Sequence, residues 1–242
     1  MGDLNFKDAR RLRASSFFSV IFFWLNIELI MWFSIVMKLD KANKILEENK
    51  ATYNEISDEF SNTRNYIWPE LEELKKYVFD NQRVLDAGCG NGRLYQIFVG
   101  KNIDYTGIDF SENLIKRAQE KYGDHFKVAD ILNLPFPDQY FDSVWSIAVL
   151  HHIPTTELRK RALGEIKRVL RPNGRVIATF WEIKSFWRKD VFIPFQGRRR
   201  YYHVFSKREI RNLFKGSGFK IEELKFLKRN NKKTNILIVA IP

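Results

Sequence analysis

The stretch that most restricts what this chain can become is "RVLDAGCGNG", residues 83–92, an apolar run that ends in three glycines at every second position, Gly88, Gly90 and Gly92. With a second apolar run, "DYTGIDF" at 104–110, and about ten helix-prone residues between them, it predicts a βαβ unit. The alternation continues through "HFKVAD" (125–130), "FDSVWSIAVL" (141–150), a helical pattern over 156–171, "RVIATFWE" (175–182), a helix over 207–217 and a closing pair, "FKIEELKFL" and "NILIVAIP". The expectation is an α/β fold: a doubly wound, Rossmann-like sheet with helices on both faces and an antiparallel C-terminal hairpin.

The glycine spacing narrows the ligand. A turn that cradles a dinucleotide more often reads G-x-G-x-x-G, whereas here the glycines alternate and are preceded by Asp86, whose charge repels phosphate and suits a cationic amino-acid group. Asp109, at the end of the second strand, is placed to accept hydrogen bonds from ribose hydroxyls, and Asp130, after the third, to meet an adenine amino group. A nucleoside with a positively charged amino-acid tail is S-adenosylmethionine. The cofactor set is then Asp86, Gly88, Cys89, Gly90, Asn91, Gly92, Asp109, Phe110, Asp130, Ile131 and Ile147.

The 242 residues, 45% of them hydrophobic, suffice for one substantial core with appendages. We divide them into an apolar extension (1–36), an N-terminal helical cover (37–80) in which Pro69 starts a helix, and the domain proper (81–242). Within the extension, "FFSVIFFWLNIELIMWFSIV" (17–36) is long enough to cross a bilayer, although Asn26 and Glu28 would be costly there. It is either a membrane helix or a segment ahead of the working start at Met37. A single cysteine, Cys89, excludes an internal disulfide framework and a cysteine-rich zinc site, and no metal site is expected. It fits a reducing compartment, so the catalytic part is placed in the cytoplasm, anchored to a membrane only if 17–36 is a genuine anchor.

The net charge of +12 calls for an anionic partner. Between 198 and 233, thirteen lysines and arginines stand against three glutamates, as a phosphate-binding surface requires.

Three further stretches carry a family resemblance: "YNEISDEFSNTRNYIWPEL" (53–71), "SIAVLHHIPTTELRKRALGEIKRVLRPNGRVI" (146–177) and "RRRYYHVFSKREI" (198–210). With the glycine turn they resemble the class I S-adenosylmethionine-dependent methyltransferases, and within them the family that methylates the carboxymethyl group on the wobble uridine of tRNA. The resemblance implies a tRNA anticodon loop as substrate, with a small zinc-binding activator subunit as a partner of some members. It implies acceptor and catalytic roles for Arg64, Trp68, His152, Arg200 and Tyr202, and contacts to nucleic acid from Arg198, Arg199, Tyr201, His203 and Lys207. Tyr201 and Tyr202 offer stacking faces for an unstacked base. No general base is needed, because a carboxylate is already an ionised nucleophile. The alternative is a membrane-associated methyltransferase of a quinone-like or other small acceptor, held at its substrate by 17–36.

Overall fold

The structure, a computed structural model, describes residues 37–185, 187 and 189–242. The apolar segment 17–36 lies outside the described residues, and no helix among the described residues is long and apolar enough to cross a membrane. The chain separates into two compact units, Met1–Lys44 and Ile45–Pro242. Residues 37–55 are helical, and the 45–55 part, α1, belongs to the second unit. From Ile45 onward the chain forms one compact unit, which includes most of the expected cover (37–80) and the sheet. The reason is packing, since Leu71 and Leu74 are almost fully buried in the same cluster as Val84, Trp145 and Ile177.

After α1 come two short helices, α2 (Ser57–Thr63) and α3 (Pro69–Glu72), the latter opened by its proline. The sheet has seven strands: β1 (Gln82–Ala87), β2 (Ile103–Asp109), β3 (Phe126–Val128), β4 (Phe141–Ile147), β5 (Leu170–Trp181), β8 (Lys220–Arg229) and β9 (Lys232–Ile241). They lie in the order β3-β2-β1-β4-β5-β9-β8. The first five are parallel, and β9 and β8 close the edge as an antiparallel hairpin. Val84, Leu85, Asp86 and Ala87 are all buried, the continuous burial of a central parallel strand covered on both faces.

Helices α4 (Glu112–Tyr122), α5 (Thr156–Val169) and α6 (Lys207–Gly216) each begin at a hydroxyl that accepts a backbone N–H: Ser111 from Leu114, Thr155 from Leu158 and Ser206 from Glu209. Two features depart from the sequence expectation. The helix expected between β1 and β2 is only a five-residue 3-10 turn, Arg93–Ile97, entered from Gly92 at φ 75°. Between β5 and α6 the chain forms a separate antiparallel hairpin, β6 (Asp190–Phe195) and β7 (Arg198–His203), turning on Gln196 (φ 50°) and Gly197 (φ 73°).

The strand order reverses between β1 and β4. Ligands of such sheets bind outside the carboxyl ends at that point. The glycine loop, the turn after β4 and the β6–β7 hairpin converge there.

Candidate active site

One half of the site is built on the ends of β1 and β2. The backbone N–H groups of Gly88 and Cys89 both donate to the Ile108 carbonyl, at 2.7 and 2.8 Å, which folds the glycine loop over the end of β2. Gly90 N–H then donates to Asp109 Oδ2 and Ser111 N–H to Asp109 Oδ1, both at 2.9 Å. Each carboxylate oxygen thus has one backbone donor and keeps acceptor capacity for more. Burial raises the Asp109 pKa to about 6. Asp86, 1% exposed, takes one hydrogen bond from Tyr105 Oη (2.8 Å), and burial raises its pKa to about 7.

Two buried carboxyls without an ion-pair partner are costly to ionise, and a cationic ligand bearing hydroxyls relieves that cost. The donor chemistry therefore fits S-adenosylmethionine. At Gly90 (φ 56°) an added Cβ would meet only ordinary contact with Phe60, so the backbone conformation, not space, is what requires glycine there. Cys89 and Asn91 are buried in the loop, and Asn91 Nδ2 donates to the Arg64 carbonyl at 3.0 Å. Phe110 and Ile131 are half-buried at the same edge. Asp130 is exposed, with Oδ1 accepting from Leu132 N–H at 2.8 Å, and Ile147 closes β4.

The other half is assembled from α1, the segment after α2, the turn after β4, the end of β5 and the β6–β7 hairpin. Ala148 holds φ 62°, a sparsely populated conformation for a residue with a Cβ, and it turns the chain into His151 and His152. His152 Nδ1 lies 2.8 Å from the Tyr201 carbonyl, which can only accept, so the proton sits on Nδ1. Its Nε2 therefore accepts from Tyr53 Oη at 2.9 Å. Burial pushes the His152 pKa down to about 3, and the ring is neutral. Asn49 joins the same pieces: its Oδ1 accepts from Tyr201 N–H (2.9 Å) and its Nδ2 donates to the His152 carbonyl (3.3 Å).

Arg200 is 2% exposed, yet its Nε and Nη1 have no hydrogen-bond partner. Its guanidinium lies 4.7 Å from the Phe195 ring centre, 5.5 Å from that of Tyr202 and 5.8 Å from that of Tyr53. Arg64, also buried, lies 5.0 Å from the Phe195 ring centre and 4.3 Å from that of Phe60. Burial, and then the neighbouring Arg200, lower the Arg64 pKa. Two guanidinium groups lie against the same Phe195 ring in a buried site, with Tyr202 Oη also unpartnered, a set of donors whose chemistry suits an anion. Trp68 stands beside it, half-buried, with Arg93 4.1 Å and Arg229 5.7 Å from its ring centre and Trp181 6.2 Å away, ring centre to ring centre.

The structure thus brings Arg64, His152, Arg200 and Tyr202 together, with Trp68 on their flank. It separates the residues expected at the nucleic acid. Arg198 and Arg199 are exposed, Arg198 in an ion pair with Glu55 at 2.6 Å, and Lys207 is half-buried with its ammonium 5.1 Å from the Phe226 ring centre. Tyr201 and His203, expected beside them at the nucleic acid, are buried. Tyr201 Oη donates to Asp190 Oδ1 at 2.6 Å, while His203 lies 2.7 Å from both Asp190 Oδ1 and Glu209 Oε1. Tyr202 is likewise covered on its face by Trp181 and His151, so it stacks inside the protein and not on an exposed base.

Sequence reading missed Asn49, Tyr53, Trp181 and Phe195, and of the neighbouring histidines after β4 it assigned only His152 to the site. The only signal for Tyr53 was its place at the head of "YNEISDEFSNTR". Among the described residues no cluster suited to a metal ion is found.

Residues 85–178 match the family model described as a methyltransferase domain. A protein of Encephalitozoon cuniculi named as a methyltransferase is 34% identical over 184 residues, covering 70% of this chain and 85% of that protein. The tRNA (carboxymethyluridine(34)-5-O)-methyltransferase of Arabidopsis thaliana is 40% identical over 131 residues, 53% of this chain; the match spans only 31% of that longer protein. Among solved structures, a chain from the complex between the Haloferax volcanii Trm112 methyltransferase activator and a methyltransferase superposes with a TM-score of 0.60. The match has 18% identity and covers 80% of this chain and 97% of that one. The domain match, the near full-length relative and the carboxylate-lined glycine loop agree: this chain belongs to the S-adenosylmethionine-dependent methyltransferases.

Proposed function

We propose that the chain methylates the carboxylate of 5-carboxymethyluridine at the wobble position of tRNA, converting it to the methyl ester. The observation that carries this reading is the buried Arg200, with its free Nε–H and Nη1–H, next to Arg64. That pair is suited to a carboxylate and sits beside the cofactor half of the site.

S-adenosylmethionine supplies a methyl group activated by its sulfonium. Asp86 would hold the cationic amino-acid end and Asp109 the ribose hydroxyls. Arg64 and Arg200 orient the acceptor carboxylate so that one oxygen points along the line of displacement. With the cofactor bound, that oxygen would take the methyl group as the S–CH₃ bond broke, leaving S-adenosylhomocysteine, and no residue of the chain would need to move a proton. Catalysis then rests on positioning and charge, to which two opposite charge environments contribute without a general base. His152 and Tyr53 position the hairpin through the Tyr201 carbonyl.

The name of the Arabidopsis relative supports the acceptor. The exposed Arg198 and Arg199 and the basic segment up to Lys233 support tRNA as its carrier, and a small zinc-binding activator is a proposed partner, supported by the activator in the Haloferax complex. We place the activity in the cytoplasm, where its tRNA substrate and a reduced Cys89 are compatible.

The test incubates the full chain, with and without such an activator, with methyl-labelled S-adenosylmethionine and tRNA containing carboxymethyluridine. Nucleoside mass spectrometry should show labelled carboxymethyluridine methyl ester. Protein that binds the cofactor and labels no tRNA in either condition would overturn the reading.

A further inference from the structure

The unpartnered buried groups near Arg200 hold more than a carboxylate needs. His151 is 1% exposed, and the Trp181 backbone N–H, at 3.5 Å, donates to its Nδ1. Burial, and then His152 and Arg200, hold the His151 pKa well below that of an ordinary histidine. The ring is therefore neutral, its proton is on Nε2, and Nε2 is buried with no partner. Trp181 Nε1–H is a second buried donor without a partner.

Both belong to one ring cluster with Tyr202. The centre of the Tyr202 ring is 4.9 Å from that of His151 and 5.2 Å from that of Trp181, each at an interplanar angle of 25°, and His151 and Trp181 are 5.9 Å apart. Arg200 adjoins the same Tyr202 ring. Each of the open groups here, on His151, Trp181, Arg200 and Tyr202, is an N–H or an O–H, so the cluster offers donors to an acceptor-rich ligand.

We propose that His151 Nε2–H and Trp181 Nε1–H read a carbonyl oxygen next to the carboxymethyl arm, the 4-oxo group of the target pyrimidine, and so select uracil over cytosine. This rests on the methyl-ester reading above. In a pyrimidine, C4 adjoins C5, so the 4-oxo oxygen enters the protein on the same edge as a carboxymethyl arm on C5. Arg200 and Arg64 take the arm, and the two ring donors take the oxygen. A 4-amino group would face the same donors with N–H groups of its own and leave both sides unpaired. Sites built to pair a polar group reject an analogue that cannot pair far more strongly than apolar pockets reject a change of size.

The experiment uses the full chain, with activator where activity needs it, and two anticodon stem-loop RNAs carrying 5-carboxymethyluridine or 5-carboxymethylcytidine at the wobble position. It reads kcat/KM for each RNA and the dissociation constant for S-adenosylmethionine. Wild type should prefer the uridine RNA by roughly 100-fold or more. His151→Phe, which keeps a ring and removes the donor, should lower kcat/KM on the uridine RNA by about 10- to 100-fold, with cofactor affinity and the low cytidine rate little changed. Trp181→Phe should act in the same direction by a smaller factor, and His151→Gln, which restores an N–H, should recover part of the preference.

Variants that keep the wild-type preference, or that lose both RNAs in equal proportion, overturn this inference and leave the methyl-ester reading standing. Wild type that binds cofactor and methylates neither RNA overturns both.

Discussion

The two halves of the site are opposites in charge and in construction. The cofactor half presents two buried carboxylates on neighbouring strands, Asp86 held by Tyr105 Oη and Asp109 by the backbone N–H groups of Gly90 and Ser111. The acceptor half presents buried cations and neutral donors drawn from five segments. Tyr53 pairs with His152 across 99 residues, and Asn49 with Tyr201 across 152. The ligand pair we propose, a methyl sulfonium beside a carboxylate, would satisfy both. The difference teaches that the first half is a property of a local motif, the second a property of the completed fold.

The largest effects should come from breaking the first half alone. Asp86→Ala removes the buried anion and Gly90→Val forces a β-branched residue to φ near 56°. Each should raise the dissociation constant for S-adenosylmethionine by about 100-fold or more, measured by calorimetry. Breaking the second half should separate the two functions: Arg200→Ala should lower kcat/KM on tRNA by about 100-fold and change cofactor affinity by less than about 3-fold. Equal loss of cofactor binding in that variant would erase the distinction between the halves.

A pH titration sharpens the comparison at a smaller scale. Burial raises Asp86 to about 7 and Asp109 to about 6, so the ligand-free folded state binds protons that the unfolded chain releases between about pH 4 and 7. Those two groups make the free protein less stable as pH climbs through that window, because folding then holds ionised carboxylates in a dry site. A cationic cofactor favours the ionised form, so its binding should release protons below about pH 7. Its affinity should rise by up to about 10-fold per unit toward neutrality, and calorimetry in buffers of different ionisation enthalpy would read the protons directly. Binding that is flat from about pH 5.5 to 8 would count against both carboxylates as ligands.

Smaller still is Tyr53→Phe, which removes the O–H donated to His152 and should raise KM for tRNA by about 5- to 10-fold while leaving the cofactor dissociation constant alone. The smallest effect is at the rim. Arg199→Ala should weaken tRNA binding by a few-fold and reduce the slope of log affinity against log salt by about one, equally for all sequences.

The same contrast explains what could be read in advance. The parallel sheet and its carboxylates followed from "RVLDAGCGNG" and "DYTGIDF", where apolar runs end in residues of special chemistry, and the antiparallel edge from the closing pair "FKIEELKFL" and "NILIVAIP". The β6–β7 hairpin did not, because Pro194 weakens its strand pattern and its turn, Gln196 and Gly197, lacks the Asn-Gly or Asp-Gly signature. Missing the hairpin misplaced its side chains. "RRRYYHVF" reads as a surface by charge density, yet from Arg200 to His203 every residue is buried, and polar atoms of Tyr201 and His203 pair with Asn49, Asp190 and Glu209. His151 and His152 were legible as a pair at the sheet edge. Which one keeps an open donor depends on Tyr53, Tyr201 and Trp181, none of them near in sequence.

The measurement that bears most directly on this division of charge compares 5-carboxymethyluridine with its neutral amide, 5-carbamoylmethyluridine, each in the wobble position of an anticodon stem-loop. Both are titrated against the full chain saturated with S-adenosylhomocysteine, and against its Arg200→Gln variant. The account predicts that wild type binds the carboxylate RNA about 10- to 100-fold more tightly than the amide and that the variant loses most of the difference. Equal affinity of wild type for the two RNAs would contradict it.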